Sequence, residues 1–158
     1  MGLTHIDGEG KAKMVDVSEK DITLREAKAS GKVIMKPETL KMIKKNKIKK
    51  GDVLATARIS AIMAAKKTPN LIPLAHPIPL SEVSVKFETD EDASAVIVEV
   101  YCKTHARTGV EMEAITGVLF ASASIYDMIK AVDRKAVITD VMLIEKRGGK
   151  SGEFSREE

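Results

Sequence analysis

The chain has 158 residues, 44% of them hydrophobic, which suffices for one aliphatic core and leaves no room for a second domain. Aromatic residues make up only 3% and the formal net charge is +3, so we expect neither a base-stacking nucleic-acid module nor a strong overall field. A single cysteine excludes an intrachain disulfide, and the lack of a long apolar run argues against secretion or a membrane span, so we expect a cytoplasmic protein.

Residues 1–20 lack sustained periodicity and carry several glycines among charges, which predicts a flexible arm. A single α+β domain is expected over residues 21–158, ending in a tail rich in glycine and lysine. His5 and Asp7 could suggest a metal pair, but two ligands on a flexible arm are weak support. We therefore expect neither a metal nor another cofactor.

The first two predicted elements follow this arm. Ile22 to Met35 alternates loosely and contains a Ser30-Gly31 break, which predicts a strand or a hairpin. Pro37 then opens a short helix that reaches Asn46, because proline is favoured in a first helical turn. The lysine-rich run over residues 41–50 is typical of a solvated face. Nucleic-acid binding is the alternative, but no aromatic residue or arginine is interleaved.

Asp52 is predicted to cap a helix over residues 53–67, whose many alanines favour close packing. Pro69 should end this helix near Thr68. Lys50 precedes the helix start, where a cation is unfavourable for the helix dipole. We therefore expect another group to hold this lysine.

The stretch from Leu71 to Leu80 contains three prolines around a lone histidine, His76. Proline removes backbone donors and biases the preceding residue towards extended conformations, so this stretch predicts a stiff buried loop. A held imidazole could position a substrate or move a proton. In the simpler alternative, His76 only satisfies a buried carbonyl group.

Two strands over Glu82–Glu88 and Ala95–Lys103 form a predicted hairpin, and Cys102 should be a buried, inert residue of the second strand. A long central helix over Gly109–Val132 and a strand over Val137–Lys146 follow. This order of elements predicts an antiparallel sheet with helices packed on one face. The other face would stay open, and oligomerisation could cover it.

Polar groups on the central helix divide by distance. Glu113 and Asp127 share one helical sector, but fourteen residues at about 1.5 Å each put them roughly 20 Å apart, too far for one small-molecule site. Asp127 and Lys130 are neighbours, and an ordinary surface ion pair is the simpler interpretation of them. If all these groups serve one site, the two ends of the helix should come from different subunits.

The tail begins RGGKSG, but Ile144 stands where a Walker motif needs glycine, so no such motif is predicted. Backbone N–H groups and nearby cations could still cradle an anion in this region. The residues concerned are Gly148, Gly149, Gly152, Lys146, Arg147 and Lys150.

Several long motifs occur in one order along the chain: THI, MVDVS, KGDVLATARI, LIPLAHPIPL, TGVEMEAITG, IYDMIKAV and GGKSGEF. In these motifs the chain resembles the MoaC family of molybdenum cofactor biosynthesis over nearly its whole length. The resemblance implies a ferredoxin-like α+β fold and a homohexamer, a trimer of dimers, with sites at subunit interfaces. It implies a lyase that converts 3′,8-cyclo-7,8-dihydro-GTP to cyclic pyranopterin monophosphate and releases pyrophosphate.

The resemblance also assigns residues. Asp127, Lys130 and Lys50 match catalytic positions of the family, and His76 and Glu111 are added to that set. The substrate-binding positions it implies are Leu74, Ala75, His76, Met112 and Glu113. Many relatives have cysteine where this chain has Ala75, so a thiol is not expected to be needed there.

A mechanism follows as a hypothesis. Asp127 and Lys130 would exchange protons with the substrate, with Lys130 made less basic by Lys50. Arg25, Lys146 and Lys150 would hold the triphosphate, and His76 would orient the substrate. A non-catalytic nucleotide-binding or regulatory module of the same fold is the alternative function. Neither nucleic acid nor a membrane is an expected partner.

Overall fold

The computed structural model describes residues 8–150 and 152–156, so His5, Asp7 and the start of the predicted arm lie outside the described residues. The elements are β1 (Thr23–Ile34), α1 (Pro37–Lys44), α2 (Val53–Lys66), α3 (Thr68–Leu71), β2 (Glu82–Asp90), β3 (Ala95–Ala106), α4 (Glu111–Ile129), β4 (Val137–Arg147) and β5 (Phe154–Ser155). The sheet is antiparallel in the order β2-β3-β1-β4-β5. Helix α4 packs on β1, β3, β4 and α2, which confirms the α+β prediction.

Strand β1 is one continuous strand of 12 residues, so the hairpin alternative is wrong. Gly31 serves packing rather than a break in the strand. A Cβ atom there would lie 2.7 Å from Val118 Cγ1 of α4 and 3.0 Å from Val141 Cγ2 of β4. The missing side chain therefore lets α4 approach the centre of the sheet closely. The pairing of β1 with β4 shifts register between Lys28 and Ala29 and again between Ser30 and Lys32, across Gly31, whereas the pairing of β1 with β3 is regular.

The helix boundaries follow local chemistry. Asp52 caps α2 as predicted, because its Oδ1 accepts a hydrogen bond from the Ala55 N–H at 2.9 Å. Helix α2 ends at Lys66, and Pro69 lies in the first turn of α3, where its missing N–H breaks no helical hydrogen bond. The two short elements α3 and β5 were not predicted, because four and two residues carry too little periodicity.

Helix α4 is the central core helix, with Ala114, Val118, Ala121 and Ile125 fully buried. Within the described part of the chain, it alone has the length and apolar composition to cross a membrane, and 56% of that stretch is buried inside the fold. A core helix has the same composition. Cys102 is fully buried in β3, and burial raises its thiol pKa to about 12, which fits the predicted inert residue.

Candidate active site

Two adjoining cavities open at the N-terminal end of α4. Their volumes are about 640 and 270 Å³, and both are lined by Lys20, Thr108, Gly109 and Glu111. The N-cap residue, Val110, makes no side-chain hydrogen bond to the start of α4, although the Glu113 carboxyl accepts one from its own N–H group. The positive end of the helix dipole makes this end of α4 favourable for an anion.

Basic side chains from three parts of the chain line the larger cavity. Arg25 comes from β1, Arg107 follows β3, and Lys150 follows β4. Arg25 Nη2 donates a hydrogen bond to the Arg107 carbonyl oxygen at 3.3 Å. Its Nε is buried and has no hydrogen-bond partner among the described residues. A guanidinium N–H left unpaired beside a cavity is suited to bind an oxygen-rich anion.

The turn after β4 holds this arginine. Gly148 and Gly149 have φ angles of +92° and +82°, which favour glycine. A Cβ atom at Gly149 would overlap the Arg25 guanidinium, so only glycine lets the turn contact that side chain. Lys146, just before the turn, pairs with Glu111 of α4 at 3.3 Å between Nζ and Oε1. Of the predicted anion-binding groups of the tail, Gly149 and Lys150 thus line the larger cavity and Lys146 contacts Glu111 of its wall, whereas Arg147, Gly148 and Gly152 are not part of its lining.

The smaller cavity joins the two predicted substrate-binding segments. Leu74, Ala75 and His76 come from the irregular loop after α3, and Met112 and Glu113 come from the first turn of α4. The loop is half-buried to exposed in this chain, so the expectation of a buried loop is wrong. Proline prevents regular hydrogen bonding in this loop, which lines the cavity with Leu74, Ala75 and His76 and packs against the core through Ile78 and Leu80.

His76 and Arg107 both bond to the backbone of the segment before β1. His76 Nε2 donates to the Val15 carbonyl oxygen at 2.7 Å, and Arg107 Nε donates to the Lys20 carbonyl oxygen at 2.9 Å. The simpler alternative for His76, a bond to a carbonyl group, is therefore present, although the histidine also lines the smaller cavity. The segment between Val15 and Lys20 is thus tied across the site at two points.

Glu113 is the buried carboxyl of the site, with only 3% of its surface exposed. Burial raises its pKa to about 7, and the nearby Glu111 charge acts in the same direction. A hydrogen bond from its own backbone N–H opposes this shift. Glu113 therefore changes protonation state near neutral pH.

Three predicted catalytic residues meet at the other end of α4. Lys50 Nζ donates to the Asp127 carbonyl oxygen at 2.7 Å and to its Oδ2 at 2.8 Å, and Lys130 Nζ lies 2.7 Å from Asp127 Oδ1. Hydrogen bonds from Lys130 and Lys50 lower the pKa of Asp127 to about 2. This arrangement confirms that another group holds Lys50.

The expectation that Lys50 makes Lys130 less basic is wrong for this chain. The hydrogen bond with Asp127 raises the pKa of Lys130, and the carboxylate charge adds to that effect. Asp127 lies between the two ammonium groups, so each lysine interacts more closely with the Asp127 carboxylate than with the other lysine. Lys130 therefore stays protonated at neutral pH.

The predicted site residues form two groups, one at each end of α4, and the single chain does not bring these groups together. Glu113 belongs to the first turn of α4 and Asp127 to the last, and fourteen residues at about 1.5 Å each separate them by roughly 20 Å. The larger group, at the two cavities, contains Arg25, Leu74, Ala75, His76, Glu111, Met112, Glu113, Lys146 and Lys150. The smaller group is Lys50, Asp127 and Lys130.

Four cavity residues were not predicted from the sequence: Lys20, Arg107, Thr108 and Gly109. Thr108 and Gly109 begin the TGVEMEAITG motif and Arg107 precedes it, so their position at a predicted helix start was the available signal. Nothing local marks Lys20. In the part of the chain that the structure describes, no group of three or more His, Cys, Asp or Glu side chains could hold a metal ion.

Residues 14–149 match the MoaC family. Curated relatives match almost the whole chain. A cyclic pyranopterin monophosphate synthase of Thermoanaerobacter sp. (strain X514) is 52% identical over 157 residues, covering 99% of each protein. The protein of the same name from Dinoroseobacter shibae is 54% identical, with 99% of each covered. That of Pelotomaculum thermopropionicum is 54% identical over 98% of this chain and 91% of the relative.

Proposed function

Because the chain belongs to the MoaC family, we propose that it is a lyase that converts 3′,8-cyclo-7,8-dihydro-GTP to cyclic pyranopterin monophosphate and releases pyrophosphate. The observation that carries this proposal is the 52% to 54% identity, over nearly the whole chain, to curated proteins named cyclic pyranopterin monophosphate synthase. This places the activity in molybdenum cofactor biosynthesis.

The two cavities suit the two halves of such a substrate. The triphosphate would occupy the larger cavity, where Arg25, Arg107 and Lys150 supply positive charge. Lys146 would join them by exchanging its partner Glu111 for phosphate oxygens. The heterocycle would enter the smaller cavity between the loop residues Leu74, Ala75 and His76 and the helix residues Met112 and Glu113.

Product formation closes a cyclic phosphate. A sugar hydroxyl loses its proton and bonds to the α-phosphorus, while the bond from that phosphorus to the pyrophosphate oxygen breaks. Cations around the triphosphate neutralise the charge on the leaving pyrophosphate, which lowers the barrier. Arg25 and its neighbours supply that charge in our proposal, and Glu111 holds Lys146 beside the larger cavity until the triphosphate binds.

Asp127, Lys130 and Lys50 would complete the site from a neighbouring subunit. Because Asp127 holds Lys130 protonated, Lys130 acts as a donor of a proton or hydrogen bond, and Asp127 stays ionised. Lys50 fixes the orientation of Asp127 through two hydrogen bonds. His76 would bind and orient the substrate after giving up its bond to the Val15 carbonyl group.

We extend the proposal to a homohexamer, a trimer of dimers, with sites at subunit interfaces. The separation of the two residue groups along α4 supports a site shared between subunits. An exposed apolar surface on α2 and α4 and the end of α3, formed by Ile59, Met63, Leu71 and Phe120, supports association with a second copy. We also propose one catalytic domain over residues 21–158, a cytoplasmic location, and no nucleic-acid or membrane partner.

The test is incubation of the purified protein with the cyclised GTP intermediate, scoring pyrophosphate and the cyclic product. Asp127→Asn should lower turnover by about 100-fold or more, as for loss of a charged group at a reacting centre. Asp92→Asn, an exposed change in the β2–β3 turn, is the matched control and should leave turnover unchanged. Tight binding without pyrophosphate release would favour a non-catalytic nucleotide-binding module and overturn the proposal.

A further inference from the structure

Glu113 has surroundings unlike those of the other acidic residues near the cavities. Its side chain is almost wholly buried, at 3% exposure, yet it lines the smaller cavity. No lysine, arginine or histidine of the described chain lies within ion-pair distance of its carboxyl group. Most of the cavity wall around it is apolar and consists of Val15, Val17, Leu74, Ala75, Ile78 and Met112.

Such an environment disfavours a carboxylate, because a buried charge loses its hydration and only the hydrogen bond from its own backbone N–H group offsets that loss. The titratable groups around Glu113 come from four parts of the chain. Glu111 lies on the same helix, Cys102 in β3, His76 in the loop, and Lys20 before β1. The Cys102 thiol is neutral, since its pKa is about 12. The raised pKa of Glu113, about 7, agrees with this geometry.

Glu111 and Glu113 therefore differ in role although only Met112 stands between them. Glu111 pairs with Lys146 at 3.3 Å and lines both cavities. Glu113 faces only the smaller, largely apolar one. When two carboxyl groups of one site occupy such different surroundings, the one without a cation partner is better suited to exchange a proton. The one paired with a cation stays ionised and is better suited to act as a fixed negative charge.

Resting on the proposed function, we infer that Glu113 is a catalytic residue that exchanges a proton with a ring nitrogen of the substrate heterocycle in the smaller cavity. In the donating direction, the carboxyl O–H bond breaks and a nitrogen–hydrogen bond forms, leaving a carboxylate. The proton returns from another nitrogen of the same heterocycle when the ring is rebuilt. Glu113 thus ends each turnover in the state in which it began.

The cavity suits this exchange. A general acid or base works best when its pKa lies near the operating pH, since both protonation states are then available. A heterocycle bound against the apolar residues of this cavity would displace water from the carboxyl group, so the proton would pass to the substrate rather than to solvent. This role differs from binding alone, because a binding carboxylate need not change its protonation state.

The kinetic test compares Glu113→Gln with the unsubstituted protein. Glutamine keeps the shape and hydrogen-bonding capacity of the side chain but cannot exchange a proton. We expect kcat to fall by about 100-fold or more, the range for loss of a general acid or base, with KM changed by less than about threefold. The limb of the kcat profile near pH 7 should disappear. Glu88→Gln, an exposed change in β2, is the matched control and should keep the kcat value and its pH dependence near pH 7.

A second measurement does not depend on turnover. Carboxyl resonances of protein labelled with ¹³C-glutamate should include one with a midpoint near pH 7, which is absent from Glu113→Gln. Saturating substrate should shift that midpoint if the heterocycle lies beside Glu113. Circular dichroism and the oligomeric state of the variant show whether it folds.

The outcomes separate the inference from the proposed function. A folded Glu113→Gln protein that keeps kcat within about threefold, or that loses only substrate affinity, overturns the proton-transfer role. A titration midpoint near the ordinary glutamate value overturns it as well. Absence of turnover in the unsubstituted protein overturns the proposed function and the inference together. Loss of kcat with the expected midpoint supports both.

Discussion

Asp127 and Glu113 lie on one helix in opposite electrostatic surroundings. Asp127 is exposed and bonded by two ammonium groups, which lower its pKa to about 2. Glu113 is buried without a cation, and its pKa is raised to about 7. Asp127 is therefore a fixed charge over the whole physiological range, whereas Glu113 changes its charge within that range.

At this scale Glu113 predicts how stability depends on pH. Its pKa is about 7 in the folded chain against 4.5 for a free side chain, so the unfolded chain ionises first as pH rises. The free energy of unfolding should therefore fall as pH rises from about 4.5 to about 7. The expected slope is about 1.4 kcal/mol per pH unit, and the total loss is about 3 kcal/mol at most. Glu113→Gln removes this dependence. The free energy of unfolding of Glu113→Gln minus that of the unsubstituted protein should therefore be larger at pH 8 than at pH 5.

Urea unfolding at pH 5 and pH 8, at one protein concentration, measures this difference. A difference between the two proteins that is equal at both pH values would contradict the burial argument. The measurement needs no substrate, so it tests the environment of Glu113 separately from its catalytic role.

At the scale of elements, the turn after β4 is where backbone shape determines a binding group. Gly149→Ala would place a Cβ atom on the Arg25 guanidinium and would force alanine into a left-handed conformation. Arg25 must then move away from the larger cavity. We expect affinity for inorganic triphosphate, measured by calorimetry, to fall by about tenfold, the loss of roughly one charged hydrogen bond.

Gly152→Ala is the matched control. Gly152 also has a positive φ, +73°, but no atom lies within 4 Å of its Cβ position. It should therefore share the backbone strain of about 1 to 2 kcal/mol without displacing Arg25. Equal losses of triphosphate affinity in the two variants would show that strain, rather than contact with Arg25, is responsible.

At the scale of the whole molecule, the apolar surface on α2 and α4 remains uncovered in the single chain. Ile59 is 58% exposed and Met63 52%, and Phe120 of α4 lies beside them at 42%. Three large apolar side chains in one exposed groove are typical of a surface that another protein covers. The proposed shared site requires such association.

Met63→Lys should therefore shift the protein to smaller species in light scattering after size-exclusion chromatography. A buried ammonium group without a partner costs several kcal/mol, enough to weaken an interface about 100-fold or more. Turnover should fall in parallel, because Asp127 of one subunit would no longer reach the cavities of another. Ala93→Lys adds the same charge to the exposed β2–β3 turn and should alter neither the oligomeric state nor turnover. Full activity from a Met63→Lys monomer would contradict the shared site.

Much of the fold could be predicted because the signals are local. The Asp52 cap, the β2–β3 hairpin and the long helix α4 depend on residues close together in sequence, and the predicted elements formed there. The same local motifs suffice to identify the family, since most of them lie in order within residues 14–149, which match it. The sequence by itself thus determined the elements, their order and the family.

Only the tertiary structure decided which of these residues share surroundings. Gly31 was predicted as a break because Val118, which would contact a side chain there, is distant in sequence. Arg107 and Arg25 are likewise distant in sequence and come together only because β1 and β3 pair in the sheet. The pKa of Lys130 was predicted in the wrong direction because the sequence places two lysines near the site but does not show Asp127 between them. Burial and charge act through space, so groups distant in sequence determine protonation, whereas periodicity and capping act along the chain.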